Sequence, residues 1–282
     1  MLKIILKIFK SLVIGVLAVF LVALSIDASE NYNNMSESIL GKIIFGESEG
    51  LCEEGMVHVL SETGGFCIDK YEASPGEECP YVEIDNQKKT NENLNAITCK
   101  PVSEEGKLPW RYVSQSQAAA VCAKAGKRLA SSKEWYQASL GTPDPNHGWA
   151  GNDCQVNNNW DDQPGLTGSG VNCQSGMGAM DMVGNVWEWV SGNLHEGEID
   201  GQKLPEEGYI LSVNSDGLPV KTSFEDYDDN NNRDYLWIKH TKVRGVARGG
   251  YWANKADAGI YAMYLVAPLD FAGTGIGFRC VK

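Results

Sequence analysis

The sequence predicts an α+β fold: one loop-rich domain with two short helices, many short strands and disulfide cross-links. Three observations carry this. Glycine (31 residues) and tryptophan (8) are abundant in a chain of 282 residues, a composition of turns around aromatic packing rather than of a helical bundle. Only two stretches contain both a start and a stop signal for a helix, and beyond Thr142 glycine, asparagine and aspartate break every helical period. The eight cysteines form an even set with no CxxC pair, which favours disulfides over zinc.

Taken in order, the chain opens with Lys3, Lys7 and Lys10 and an apolar run over residues 12–24, and polarity returns at Ser25, Asp27 and Glu30. This is the pattern of a secretory leader, so residues 1–28 read as a signal peptide or signal anchor. Ala23 and Ser25 offer a small-x-small cleavage site, with Ala28 as a second; left uncleaved, residues 2–24 would serve as a membrane tether. Export to the cell surface or medium is the expectation, and the cysteines agree with it. Residues 29–50 read as a polar stalk and residues 51–282 as the domain. Within it, residues 55–60 and 65–72 read as a hairpin turning near Gly64 and Gly65. Ser114 and Gln117 form a capping box ahead of Ala118, Val121, Cys122 and Ala125, and Gly126 closes that helix. Ser131 and Glu134 form a second box ahead of Trp135, Ala138 and Leu140, with Gly141 at the end. Short loops favour pairing Cys79 with Cys99 and Cys154 with Cys173; Cys52, Cys67, Cys122 and Cys280 complete the set.

The formal charge of −13 argues against nucleic acid as a partner, since an acidic body is repelled by phosphate. An acidic stretch at residues 225–234 begins like a calcium loop at Asp226, Asp228 and Asn230. It fails at its sixth and twelfth positions, Asn231 and Trp237, and reads as a solvated turn.

Four motifs then fall in a fixed order: residues 126–135 (GKRLASSKEW), residues 180–189 (MDMVGNVWEW), Arg248-Gly-Gly, and Gly-Phe-Arg-Cys280, with residues 66–72 (FCIDKYE) upstream. Together they resemble the sulfatase-modifying-factor domain, the fold of formylglycine-generating enzymes and a variant of the C-type lectin fold, over residues 51–282. The resemblance implies a disulfide between Cys122 and Cys280. It also implies a structural calcium held by Asp181, Gly184, Val186 and Glu188, two carboxylates and two carbonyls making a hard oxygen site. The competing structural reading makes Asp181 a turn residue, Glu188 an arginine's partner, and Trp187 and Trp189 core. The enzymes of the family bind copper through two cysteines after the Arg-Gly-Gly motif; counted from Arg248, those positions hold Asn254 and Gly259, neither of which supplies a thiolate. His58, His147, His195 and His240 are scattered and form no iron-binding triad. The resemblance therefore comes with no copper and no iron, and with no catalytic residue to name.

The segment from Arg248 to Cys280 is also similar to the ligand-binding end of lectin-fold proteins diversified by retroelements. In that frame the exposed positions are Ala253, Asn254, Lys255, Asp257, Met263, Tyr264, Val266, Leu269, Asp270 and Phe271. Tyr251, Trp252, Tyr261, Tyr264 and Phe271 concentrate rigid aromatic surface there, a composition suited to recognition. The expected binding surface is thus Tyr251, Trp252, Asn254, Lys255, Asp257, Tyr261, Tyr264, Asp270 and Phe271, facing a protein or glycan. The other readings are an enzyme of the same superfamily with unassigned chemistry in that cleft, or a structural envelope component.

Overall fold

The computed structural model describes residues 21–23, 25, 51–61, 64–225 and 233–282. Most of the leader, the stalk and most of the acidic stretch lie outside the described residues, and so do the expectations placed on them. Among the described residues no helix is long and apolar enough to cross a membrane.

The predicted hairpin is β1 (Met56–Val59) and β2 (Phe66–Asp69), antiparallel with Met56 opposite Asp69 and Val59 opposite Phe66. Its sheet is completed by β5 (Arg128–Leu129) and by β15 (Cys280–Val281), so the end of the chain is laid beside its hairpin. Two residues each, β3 (Ser74–Pro75) and β4 (Pro101–Val102), make a small separate ladder. Both predicted helices form with both hydrogen bonds of the capping box: α2 (Gln115–Lys124) behind Ser114 and α3 (Ser132–Ser139) behind Ser131.

A third helix, α1 (Gln87–Asn95), corrects the expectation of two. Its only large apolar side chain is Leu94, so it has no stripe to read. Polar tertiary bonds hold it instead. Asn93 bridges both the N–H and the carbonyl of Tyr81, Thr90 Oγ1 accepts from Trp110 Nε1, and Lys124 Nζ of α2 donates to the carbonyls of Asn93, Leu94 and Ala96. A short 3₁₀ turn also forms at Lys255–Asp257.

The large sheet is built on β6 (Trp187–His195), which pairs with β12 (Val243–Arg248) and, in parallel, with β14 (Ile276–Phe278). On the far side of β12 lie β13 (Met263–Leu265), β11 (Tyr235–Ile238), β9 (Gly208–Val213) and β10 (Pro219–Ser223); β7 (Glu198–Ile199) and β8 (Gln202–Lys203) extend the other edge. Strand alternation splits the core in two. Met263, Leu265, Leu236, Val246 and Val190 face one cluster with Trp135. The register row Trp237, Tyr264, Ala247, Trp189 and Phe278 crosses five strands on the opposite face, which carries the second cluster around Trp110.

Four disulfides close the fold: Cys52–Cys67, Cys79–Cys99, Cys154–Cys173 and Cys122–Cys280. The two short-loop pairs and the long-range bond are those expected, and no cysteine is left as a free thiol. Four such bonds are the chemistry of an oxidising compartment.

Candidate functional site

The second face of the large sheet runs out into a cavity of about 370 Å³. Its walls are five rings: Trp187 from β6, Trp237 from β11, Tyr264 from β13, and Tyr251 and Phe271 from the loops that follow β12 and β13. Two in-register pairs place three of these rings, Trp237 beside Tyr264 and Ile276 beside Trp187. The Trp187 ring meets Trp237 edge-on at 5.4 Å and Tyr264 at 5.6 Å, spacings of attractive aromatic pairs. Asn254 and Thr274 supply the polar rim. Asn254 Oδ1 accepts from Tyr251 N, and Arg111 donates to Thr274 Oγ1 from outside. The lining contains no Asp, Glu, His, Lys, Arg or Cys. Burial pushes the Tyr264 hydroxyl above its ordinary value, with the Tyr251 phenol adding to it.

Four of the nine predicted binding residues therefore meet in one cavity: Tyr251, Asn254, Tyr264 and Phe271. The others stand elsewhere. Trp252 packs behind Tyr251 at 5.0 Å, Lys255 and Asp257 occupy the 3₁₀ turn, and Asp270 is on the exposed loop. Tyr261 turns to the other side, 5.8 Å from Tyr136, where burial pushes its hydroxyl up to about 12. Met263, expected among the exposed positions, is fully buried. It sits in β13 between β11 and β12, and alternation sends it to the core while Tyr264 faces the cavity. Trp187 and Trp237 were not among the predicted site residues. A signal for Trp237 exists in the alternation of β11, whose Leu236 and Ile238 are buried while Tyr235 and Trp237 are half-buried.

Beneath this face, the four ordered motifs prove to be one buried electrostatic unit. Arg279, fully buried, donates through Nε and Nη2 to both oxygens of Glu188 at 2.7 and 2.5 Å, and its remaining N–H groups reach the carbonyls of Asp69, Lys70 and Met180. All five guanidinium donors are thus spent. Trp135 Nε1 adds a bond to Glu188 Oε2 at 2.7 Å. Arg248 is equally buried: it donates to Gly217 O and lies 5.3 Å over Trp135, and burial brings its pKa down to about 10. Gly250, at φ +90°, leaves no room for a Cβ, which would meet Ala258 Cβ at 2.3 Å.

The predicted calcium loop is part of the same unit. Asp181 has the positive φ of a turn, +58°, and its Oδ2 accepts from Gly168 N, whereas its buried Oδ1 has no partner. The carbonyls of Gly184 and Val186 accept no hydrogen bond among those of the described residues. Glu188 is Arg279's counter-ion, as the structural reading had it, yet Oε1 receives only one bond, leaving a lone pair. These oxygens fit a hard cation by type. Burial, with the neighbouring Asp181 and Glu188 carboxylates, pushes the Glu72 carboxyl well up, and burial lifts Asp181 to about 7. Among the described residues no group of three or more His, Cys, Asp and Glu side chains is placed to hold a metal.

Asn254 and Gly259, the positions counted from the Arg-Gly-Gly motif, differ in surroundings. Asn254 rims the aromatic cavity. Gly259 is wedged between two carboxyls: a Cβ there would meet Asp234 Oδ1 at 2.0 Å and Asp144 Oδ2 at 2.4 Å. Those carboxyls clasp the chain that follows, Asp144 Oδ2 accepting from Ile260 N and Asp234 Oδ2 from Tyr261 N. A larger polar hollow of about 570 Å³ at the start of α3 is a weaker candidate, because its charges are already matched: Arg128 with Glu134, Lys133 with Asp216, Lys282 with Glu53.

Fold and site together define a disulfide-braced, C-type-lectin-like α+β domain with an aromatic cavity at the end of its C-terminal segment. A family model described as "Sulfatase-modifying factor enzyme 1-like domain" matches residues 40–282, and the chain belongs to that family. No curated protein matches the chain. Among solved structures it is similar to the Major Tropism Determinant P3c variant (17% identity, 82% of this chain and 53% of that one, TM-score 0.41). It is also similar to CarF (14%, 78% and 86%, TM-score 0.38) and to PvdO from Pseudomonas aeruginosa (16%, 80% and 89%, TM-score 0.36). The chain spans about half the length of the Major Tropism Determinant chains it matches.

Proposed function

We propose that this protein is an exported, non-catalytic ligand-binding member of the family, with residues 251–271 forming one side of its site. One observation carries the reading: the cavity is walled by Trp187, Trp237, Tyr251, Tyr264 and Phe271 and lined by no Asp, Glu, His, Lys, Arg or Cys. Small-molecule sites are apolar hollows with a few placed polar groups, which this is. General acid–base or nucleophilic chemistry needs a side chain of suitable pKa within reach of the substrate, and the lining offers none. With every cysteine in a disulfide there is likewise no thiolate for Cu(I). The four disulfides support export.

The partner on this reading is a glycan or a protein surface. Calcium belongs to the scaffold: Asp181, the carbonyls of Gly184 and Val186, and the open lone pair of Glu188 would hold it, pinning irregular loops far from any reaction. The test of binding is a pair of variants, Trp237→Ala and Tyr264→Ala, compared with wild type for capture of glycan and peptide libraries. Loss of capture with near-UV circular dichroism unchanged supports the reading; turnover of a captured ligand sinks it. Calcium is tested separately by thermal unfolding with and without chelator, where Asp181→Ala removes the calcium-dependent gain.

A further inference from the structure

The ligand's chemistry can be read from the donors that the cavity leaves unspent; this step rests on the aromatic cavity being the binding site. Four buried tryptophans place their indole N–H. Trp110 donates to Thr90 Oγ1 at 3.1 Å, Trp135 to Glu188 at 2.7 Å, Trp160 to Asp153 O at 2.8 Å, and Trp189 to Val113 O at 2.8 Å. Trp187 and Trp237, the two in the cavity wall, donate to nothing among the described residues, and neither nitrogen is sealed from solvent. Asn254 uses only its oxygen, on Tyr251 N, so its amide N–H₂ is also unspent. The hydroxyls of Tyr251 and Tyr264 have no hydrogen-bond partner there either.

Such a site selects by exclusion. A purely apolar guest would strand the indole donors, at about 1–3 kcal/mol for each one buried unpaired. A quaternary ammonium ion suits aromatic walls but brings no acceptor for those donors. An anion needs a cation to meet it; the lining has none, nearby Arg111 is engaged with Thr274, and the chain's charge of −13 repels it. What remains is a guest with apolar C–H faces, several neutral oxygen acceptors and no charge. We propose that the cavity binds an uncharged saccharide, its ring faces stacked on the indoles and phenols and its hydroxyl oxygens taking the N–H groups of Trp187, Trp237 and Asn254. At about 370 Å³, near the lower end of the roughly 300–1,000 Å³ of small-molecule sites, it suits one or two sugar rings.

The experiment titrates the protein with glucose, galactose, mannose, N-acetylglucosamine, cellobiose, lactose and chitobiose, reading tryptophan fluorescence and the indole N–H resonances. At least one sugar should saturate the signal. Trp237→Phe, which keeps a ring and removes the donor, should weaken that sugar by about tenfold, the worth of one hydrogen bond. Trp237→Ala should abolish binding. If no sugar saturates, or if Trp237→Phe binds as wild type does, the saccharide proposal is overturned. A library of neutral heptapeptides separates the two levels. Peptides that bind wild type and not Trp237→Ala overturn the sugar and leave the site standing. Sugar or peptide binding indifferent to Trp237→Ala overturns both.

Discussion

Replacing Gly259 with alanine probes both the packing of the C-terminal segment and the loss of the copper position. The added methyl would sit 2.0 Å from Asp234 Oδ1, 2.3 Å from its Cγ and 2.4 Å from Asp144 Oδ2, all inside van der Waals contact, so a carboxyl or the backbone has to move. Asp234 is fully buried and cannot swing into water. If both carboxyls retreat, the bonds to Tyr261 N (2.7 Å) and Ile260 N (3.1 Å) are lost. Leaving a buried backbone donor unpaired costs roughly 1–3 kcal/mol each, so Gly259→Ala should cost about 2–6 kcal/mol. Denaturant titration at neutral pH measures it. The same clash meets cysteine, so the double variant Asn254→Cys/Gly259→Cys should be destabilised to a similar degree before any question of metal arises. A Gly259→Ala protein within about 0.5 kcal/mol of wild type, the range of an uneventful surface change, would refute the reasoning.

Three further outcomes follow from the structure. Cys122→Ala/Cys280→Ala opens a loop with a sequence separation of 158, and the chain-entropy model predicts a loss of about 5 kcal/mol, seen as a lower denaturant midpoint. Burial and the neighbouring Asp144 carboxylate hold the Asp234 carboxyl well above its ordinary value. The folded state therefore binds the extra proton, stability falls as pH rises above the ordinary carboxylate range, and Asp234→Asn should flatten that slope in a series of melting temperatures. In deep sequencing of residues 248–280 across one population, a diversified segment would vary at Asn254, Lys255, Tyr264, Asp270 and Phe271. Met263, at the core, should stay fixed; variation there would contradict its placement.

Legibility in the sequence followed the kind of signal. Capping boxes at Ser114 and Ser131 are local hydrogen-bond chemistry, so both helices were readable to their first residue. Helix α1 was not, because its stability lies in Asn93, Thr90 and Lys124, whose partners are set by tertiary structure. The motif residues were recognisable as a set, but their common cause, Arg279 collecting Glu188 and three carbonyls, joins positions 91 or more apart in the chain. The site was half legible. An aromatic-rich segment pointed to Tyr251, Tyr264 and Phe271, whereas Trp187 and Trp237 enter the cavity through strand pairings that only the folded sheet defines. Met263 went wrong for the same reason, since a three-residue strand is too short for its alternation to announce which side faces the core.

The central claim is an open aromatic cavity whose tryptophan donors wait for a ligand. Hydrogen–deuterium exchange of the indole N–H groups, followed by NMR, tests it most directly. Trp187 and Trp237 should exchange quickly, while Trp110, Trp135 and Trp189, bonded and buried, should be protected and exchange only on larger opening. Protection of Trp187 and Trp237 at the level of those three would mean the cavity is closed, and would contradict the account.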